Sequence, residues 1–177
     1  RFDTYIDECL HTYRRSALPT SALVSFAVVE APNASYRDPA DLAGWERHCW
    51  LNVGRGTLHQ DLYVAPDSLS DEEWAALARA LHWARDHQRV LARSRMILGD
   101  PARGQIYGFA ARRGDDVTAC LRNPSAAEQA VAPDWPALLG ADVDLHVVFG
   151  DGPAGATVAL APFAVVVMEG KVAAAAG

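Results

Sequence analysis

Apolar positions along the first hundred residues recur at two periods. Within 3–14, Ile6, Cys9, Leu10 and Tyr13 fall three and four apart, the repeat of one helical face, and Pro19 ends that segment. Residues 21–29, SALVSFAVV, form a short apolar run with β-branched side chains, which predicts a strand buried on both faces, as in a parallel sheet. After the polar loop EAPNASYRD, Pro39 opens a second helical stretch with Leu42, Trp45 and Cys49 on one side. Gly54-Arg55-Gly56 breaks it before a second strand at 57–64. There alternation sets Thr57, His59, Asp61 and Tyr63 against Leu58, Leu62 and Val64.

The third helix has the clearest start. Ser70 followed by Glu73 is a capping box, in which each side chain satisfies the other's backbone N–H. Acidic residues 71–73 at the start and Arg85, Arg89 and Arg93 toward the end suit the helix dipole and predict one helix over 71–92. Trp74, Leu77, Leu81, Ala84 and Leu91 share one face, and Trp83, His87 and Val90 lie nearly opposite, so two apolar neighbours are expected.

Past Gly99-Asp100-Pro101 the texture changes to short β-like runs at 105–111, 116–122, 143–149, 156–160 and 163–168. Turn residues at Arg113-Gly114-Asp115 and Gly150-Asp151-Gly152 separate some of them, which predicts an antiparallel domain beginning near 98–104. The tail KVAAAAG carries no packing pattern and is expected to fray. Two parallel strands leave open edges and unpartnered helix faces. The order therefore predicts α/β followed by all-β: the last two strand–helix units of a (β/α)8 TIM barrel over 1–98, then an antiparallel β-sandwich over 99–177.

Composition narrows the classes. The chain has 177 residues, half of them hydrophobic and 21% charged, which is globular and not disordered. A net charge of −6 offers no general field for phosphate backbones or anionic lipid, so nucleic acid and membrane surface are not expected partners. No apolar run reaches the roughly 18 residues of a bilayer span. Cys9, Cys49 and Cys120 are odd in number and widely spread, so neither a disulfide framework nor a zinc ribbon is indicated and the compartment stays open. The opening RFDTYIDECL has no signal pattern and reads as a chain entered in mid-fold.

Several segments together resemble the C-terminal part of a melibiase-type α-galactosidase. They are FDTYIDECL, VSFAVVEAPN, RGTLHQDLYV, WARDHQRVLARSRMI, GDPARGQIYGF, LRNPS and LAPFAVVVME, whose order and spacing cover nearly all of 1–169. The resemblance implies a glycoside hydrolase with a (β/α)8 barrel and a C-terminal β-sandwich and retaining hydrolysis of α-linked sugars; no cofactor or metal is expected. Retaining chemistry needs two carboxylates about 5–5.5 Å apart, one a nucleophile and one an acid/base. By the resemblance the nucleophile lies upstream of Arg1, so the chain alone is expected to be inactive. The acid/base falls nearest Asp3, with Asp7 not separable from it.

Other roles stay open at the level of residues. Asp3 also suits the N-cap of the first helix or a loop, the more ordinary role for an Asp before an amphipathic run. Glu30 stands at the C-terminal end of a strand, where barrel enzymes hold their chemistry, and also suits a solvated loop. Asn33 can bind a sugar hydroxyl or close an Asx-turn. Arg55 between two glycines can reach an oxygen-rich ligand, with His59 on the polar face of the following strand; the bland alternative is a helix cap leading into a strand. Trp45 and Trp50 suit a sugar-stacking wall or a core. His82 and His87, five apart, point away from each other and do not suggest metal, while Cys9 and Cys49 suit inert core thiols. The expected partners are a carbohydrate substrate and an upstream barrel segment of the same protein, with a homo-oligomer left open. The competing class is a non-catalytic carbohydrate-binding or interaction module. A nucleotide-binding domain is disfavoured because no GxGxxG follows a strand.

Overall fold

A computed structural model of the chain describes Thr20 and residues 24–30, 41–57, 59–152 and 155–174. The expected helix over 3–14, with Asp3, Asp7 and Cys9, and the loop carrying Asn33 lie outside the described residues.

Strand β1 (Val24–Glu30) pairs in parallel with β2 (His59–Val64), and helix α1 (Leu42–Gly54) makes the crossover between them. The apolar run at 24–30 and the alternating run at 59–64 thus form neighbouring strands of one βα unit, as their patterns imply. A 3-10 turn (Pro66–Ser68) leads into α2 (Asp71–Asp86). The capping box is present: Ser70 N donates to Glu73 Oε2 at 2.8 Å and Glu73 N to Ser70 Oγ at 3.3 Å.

Helix α2 is shorter and simpler than its sequence suggests. It ends at Asp86, and after His87 a single turn, α3 (Gln88–Leu91), follows. At the break the His87 ring bonds the Trp83 carbonyl through Nδ1 at 2.8 Å and reaches the distant Glu169 carboxylate through Nε2 at 3.1 Å. Instead of two apolar faces α2 has one buried stripe, Ala76, Leu77, Ala80 and Trp83, with Trp74 37% exposed. The two alanines let α2 lie close against α1.

The antiparallel part is a five-stranded sheet in the order β3-β4-β5-β9-β7: Arg95–Leu98, Tyr107–Arg113, Asp116–Arg122, Val165–Val172 and Val143–Phe149. A two-stranded pair, β6 (Gln129–Val131) and β8 (Val158–Leu160), and a short helix, α4 (Trp135–Leu139), complete it. Gly114, at φ 63°, makes the tight turn of the β4–β5 hairpin, whose last pair is Arg113 with Asp116. The sheet begins at Arg95, so the division expected at residue 98 falls at the end of its first strand. Lys171 and Val172, expected to fray, close β9, with Val172 N donating to Asp115 O at 2.8 Å.

Each face of the five-stranded sheet is covered by a different layer. On one face Cys120, Val165 and Val167 join Trp45, Cys49, Trp50 and Val53 of α1 and Leu77 and Trp83 of α2 in a single core. On the other, Ala119, Leu121, Val166 and Met168 pack with Val158 and Leu160 of β8 and the side chains of α4, the arrangement of a small sandwich. Helix α1, against β5 and β9, and the segment 71–92, through α3 against β4 and β5 and through Trp83 to Glu169 of β9, both join the parallel pair to the sheet. At Gly54 an added Cβ would stand 2.7 Å from the Cys120 Cβ, so only glycine permits this approach. Burial of each Leu or Phe in these layers, such as Leu51, Leu77 and Phe109, contributes about 1.5–3 kcal/mol.

Asn123 and Arg122 hold the strand-to-turn step after β5. Asn123 Nδ2 donates to the carbonyls of Ala127 at 2.8 Å, Leu160 at 3.0 Å and Ala161 at 3.0 Å, while its Oδ1 accepts from Ser125 N at 3.0 Å. The fully buried Arg122 donates to the Phe163 carbonyl, and its guanidinium lies 5.8 Å from that ring's centre. No helix among the described residues is long and apolar enough to cross a membrane.

Candidate functional site

Three chain directions meet at the C-terminal end of the parallel strands. Glu30 is the last residue of β1, aligned with Val64 of β2, and its carbonyl accepts from Ala65 N at 2.9 Å. Both helices that follow a strand begin at this end. Asp41 caps α1 by accepting from Gly44 N at 2.7 Å, and Ser70 caps α2. Trp45 Nε1 donates to the Glu73 carbonyl at 2.9 Å and locks the two first turns side by side. Two helix N-termini and the ends of two parallel strands therefore share one rim, whose amide dipoles favour negative charge. Glu30 is 4% exposed there, and Tyr63 of β2 is 52% exposed. A carboxylate at such a rim can accept sugar hydroxyls, and an exposed tyrosine ring can lie along the C–H face of a pyranose.

Arg55 and His59 sit at the opposite end. Arg55 caps the C-terminus of α1, and His59 opens β2 opposite Val24 of β1. With seven residues in β1, this end is about 20 Å from Glu30. Arg55 is buried and donates to Asn52 Oδ1, while Asn52 Nδ2 donates to the His48 carbonyl at 2.9 Å. The structure thus places Glu30 alone, of the candidates it describes, at the strand C-termini. Asp3 and Asn33 lie outside the described residues. Trp45 and Trp50 are buried, and Trp50 stacks on Phe149 at 5.1 Å, so both belong to the core.

A second polar cluster, formed by residues far apart in sequence, lies on the antiparallel sheet. The Glu169 carboxylate of β9 accepts from Trp83 Nε1 at 2.6 Å and approaches His87 Nε2 at 3.1 Å and His146 Nε2 at 3.4 Å. Lys171 bonds Asp116, and that ammonium, by hydrogen bond and then by charge, holds the Asp116 carboxyl below its usual range. The side chains of His87, Asp116, Asp144, His146, Glu169 and Lys171 line a pocket of about 380 Å³. The signal in the sequence is slight: Asp144 and His146, and Glu169 and Lys171, each two apart on a strand. Among the described residues no group of three His, Cys, Asp or Glu side chains could hold a metal ion.

No family model and no curated protein matches the chain. Solved structures do match in fold. AmyP in complex with maltose is 13% identical, with a TM-score of 0.52 over 99% of this chain and 46% of that one. The debranching enzyme from Nostoc punctiforme is 15% identical, with a TM-score of 0.51 over 72% of this chain and 31% of that one. A candidate alpha-galactosidase from Bacteroides fragilis NCTC 9343 is 11% identical, with a TM-score of 0.51 over 74% of this chain and 29% of that one. The chain spans less than half the length of each. The likeness is one of fold: a mixed α/β part leading into an antiparallel sheet.

Proposed function

We propose that the chain is the closing part of a retaining glycoside hydrolase acting on α-linked sugars, with α-galactosides as the specific substrates. In this reading the part before Arg95 is the last two strand–helix units of a (β/α)8 barrel and the sheet that begins at Arg95 is its β-sandwich. One observation carries the reading. Two successive parallel βα units direct their strand C-termini, their helix N-termini and Glu30 to one rim, and then run straight into an antiparallel sheet. The fold likeness to maltose-bound AmyP, over nearly the whole chain, supports it.

Each residue then has a place in the mechanism. The nucleophile comes from a strand upstream of Arg1. Asp3 is the acid/base that protonates the leaving oxygen and later deprotonates the attacking water. Glu30, the last residue of β1, and Asn33, three residues on, bind sugar hydroxyls. Arg55, which caps α1, and the start of β2 at His59 lie at the other end of the strands from this rim.

The test is turnover of 4-nitrophenyl α-galactoside and α-glucoside by the longer polypeptide read from the frame upstream of Arg1. Hydrolysis of the galactoside, lost on Asp3→Asn and reduced on Glu30→Gln, is the expected result. Preference for the glucoside would keep the enzyme class and overturn the galactoside assignment. Sugar binding with no turnover of either substrate would make the protein a carbohydrate-binding module instead.

A further inference from the structure

One face of the five-stranded sheet changes character along its length. Directly paired residues share a face, so β5, β9 and β7 contribute successive rows to it. The row Cys120, Val167 and Phe149 meets α1 and belongs to the core. Two residues further along β5 and β9, the row is Thr118, Glu169 and His146, and the next is Asp116, Lys171 and Asp144. Helix α1 covers only the first row. The end of α2 roofs the second through Trp83 and His87, and the third lies open. The result is a polar shelf, walled on one side by His87.

We infer that this shelf binds a neutral oligosaccharide, gripping vicinal hydroxyls between Asp144, Glu169, His146 and Lys171. The argument is one of matched chemistry. The pocket brings three carboxylates, two imidazoles and one ammonium around about 380 Å³, a volume within the range of small-ligand sites. A simple anion meets the three carboxylates, and a simple cation meets the Lys171 ammonium. A sugar hydroxyl both donates and accepts, so adjacent hydroxyls can give to a carboxylate while taking from an ammonium or imidazole. The groups are also held in position beforehand. Glu169 is fixed by Trp83, His87 and His146, and Lys171 by Asp116, which reduces the ordering cost of binding. Asp144 and His146 are exposed on the edge strand β7, where a ligand can reach them. The inference does not rest on the catalytic reading, because it concerns binding on the sheet and its readout is not turnover.

The experiment is a titration of the 177-residue chain with maltotriose and with raffinose, followed by NMR at the ring carbon signals of His146 and His87. Spermidine and inorganic phosphate serve as the charged comparisons. Saturable shifts of the His146 signal are expected with at least one sugar and with neither charged probe. Asp144→Ala and His146→Ala should each weaken binding by about tenfold or more. Asp144→Asn, which keeps the shape and removes the charge, should weaken it too, and circular dichroism shows whether each variant is folded. Absence of a saturable shift with both sugars would overturn the inference. So would undiminished binding in folded variants, or a response to spermidine or phosphate at the same signals.

Discussion

Trp83 donates its indole N–H to Glu169 Oε2 at 2.6 Å, tying the last turn of α2 to β9 across 86 residues of chain. The indole is buried and stacks with His87 at 4.8 Å, and His87 shares the same carboxylate. Replacing Glu169 by Leu removes a charged acceptor from the indole and both rings. It should lower stability by about 1–3 kcal/mol. Urea unfolding checks this, and the double variant with Trp83→Phe should cost less than the two single changes added together. Strict additivity would mean that the bond does not couple the layers.

Asn123 serves four backbone groups at the turn after β5. Asn123→Ala leaves buried carbonyls without their donor, and about 2–4 kcal/mol of stability should be lost. The thermal midpoint reads the loss, and a shift of less than a degree would contradict it.

Burial pushes the Cys120 thiol up to about 12 from an ordinary 9.0, and the Cys49 thiol is raised as well, chiefly by burial. Neither should react with a thiol reagent at pH 8 until the chain unfolds. The folded state keeps these protons where the unfolded chain would lose them. Stability should therefore be insensitive to these groups below pH 9.0 and fall as pH rises from there toward 12. Cys120→Ala should flatten that alkaline slope in a pH series of urea melts. An unchanged slope in both Cys120→Ala and Cys49→Ala would contradict the assignment.

Local signals proved legible and long-range ones did not. The Ser70–Glu73 capping box is complete within four residues, and the short β-like runs at 116–122 and 143–149 match β5 and β7 at their observed limits. The break at His87 could not be read in the same way. Helix-favouring charges continue past it, and what ends α2 is a ring bonded to a carbonyl and to a glutamate 82 positions away. Strand β3 is only RMIL and owes its state to pairing with β4. Glu30 was legible as a site candidate because a strand's last residue is a local fact. That Arg55 and His59 lie at the opposite end follows only from the direction of α1. The shelf around Glu169 draws on α2, β5, β7 and β9 together, and no single segment announces it.

The most direct measurement compares α-glycoside hydrolysis by the 177-residue chain with hydrolysis by the longer polypeptide read from the upstream frame. A closing part of a barrel, lacking its nucleophile, should give no turnover above background. The longer polypeptide should hydrolyse 4-nitrophenyl α-galactoside with net retention, seen by NMR as initial release of α-galactose. Turnover by the 177 residues alone that survives Asp3→Asn, or no turnover by the longer polypeptide, would contradict the account.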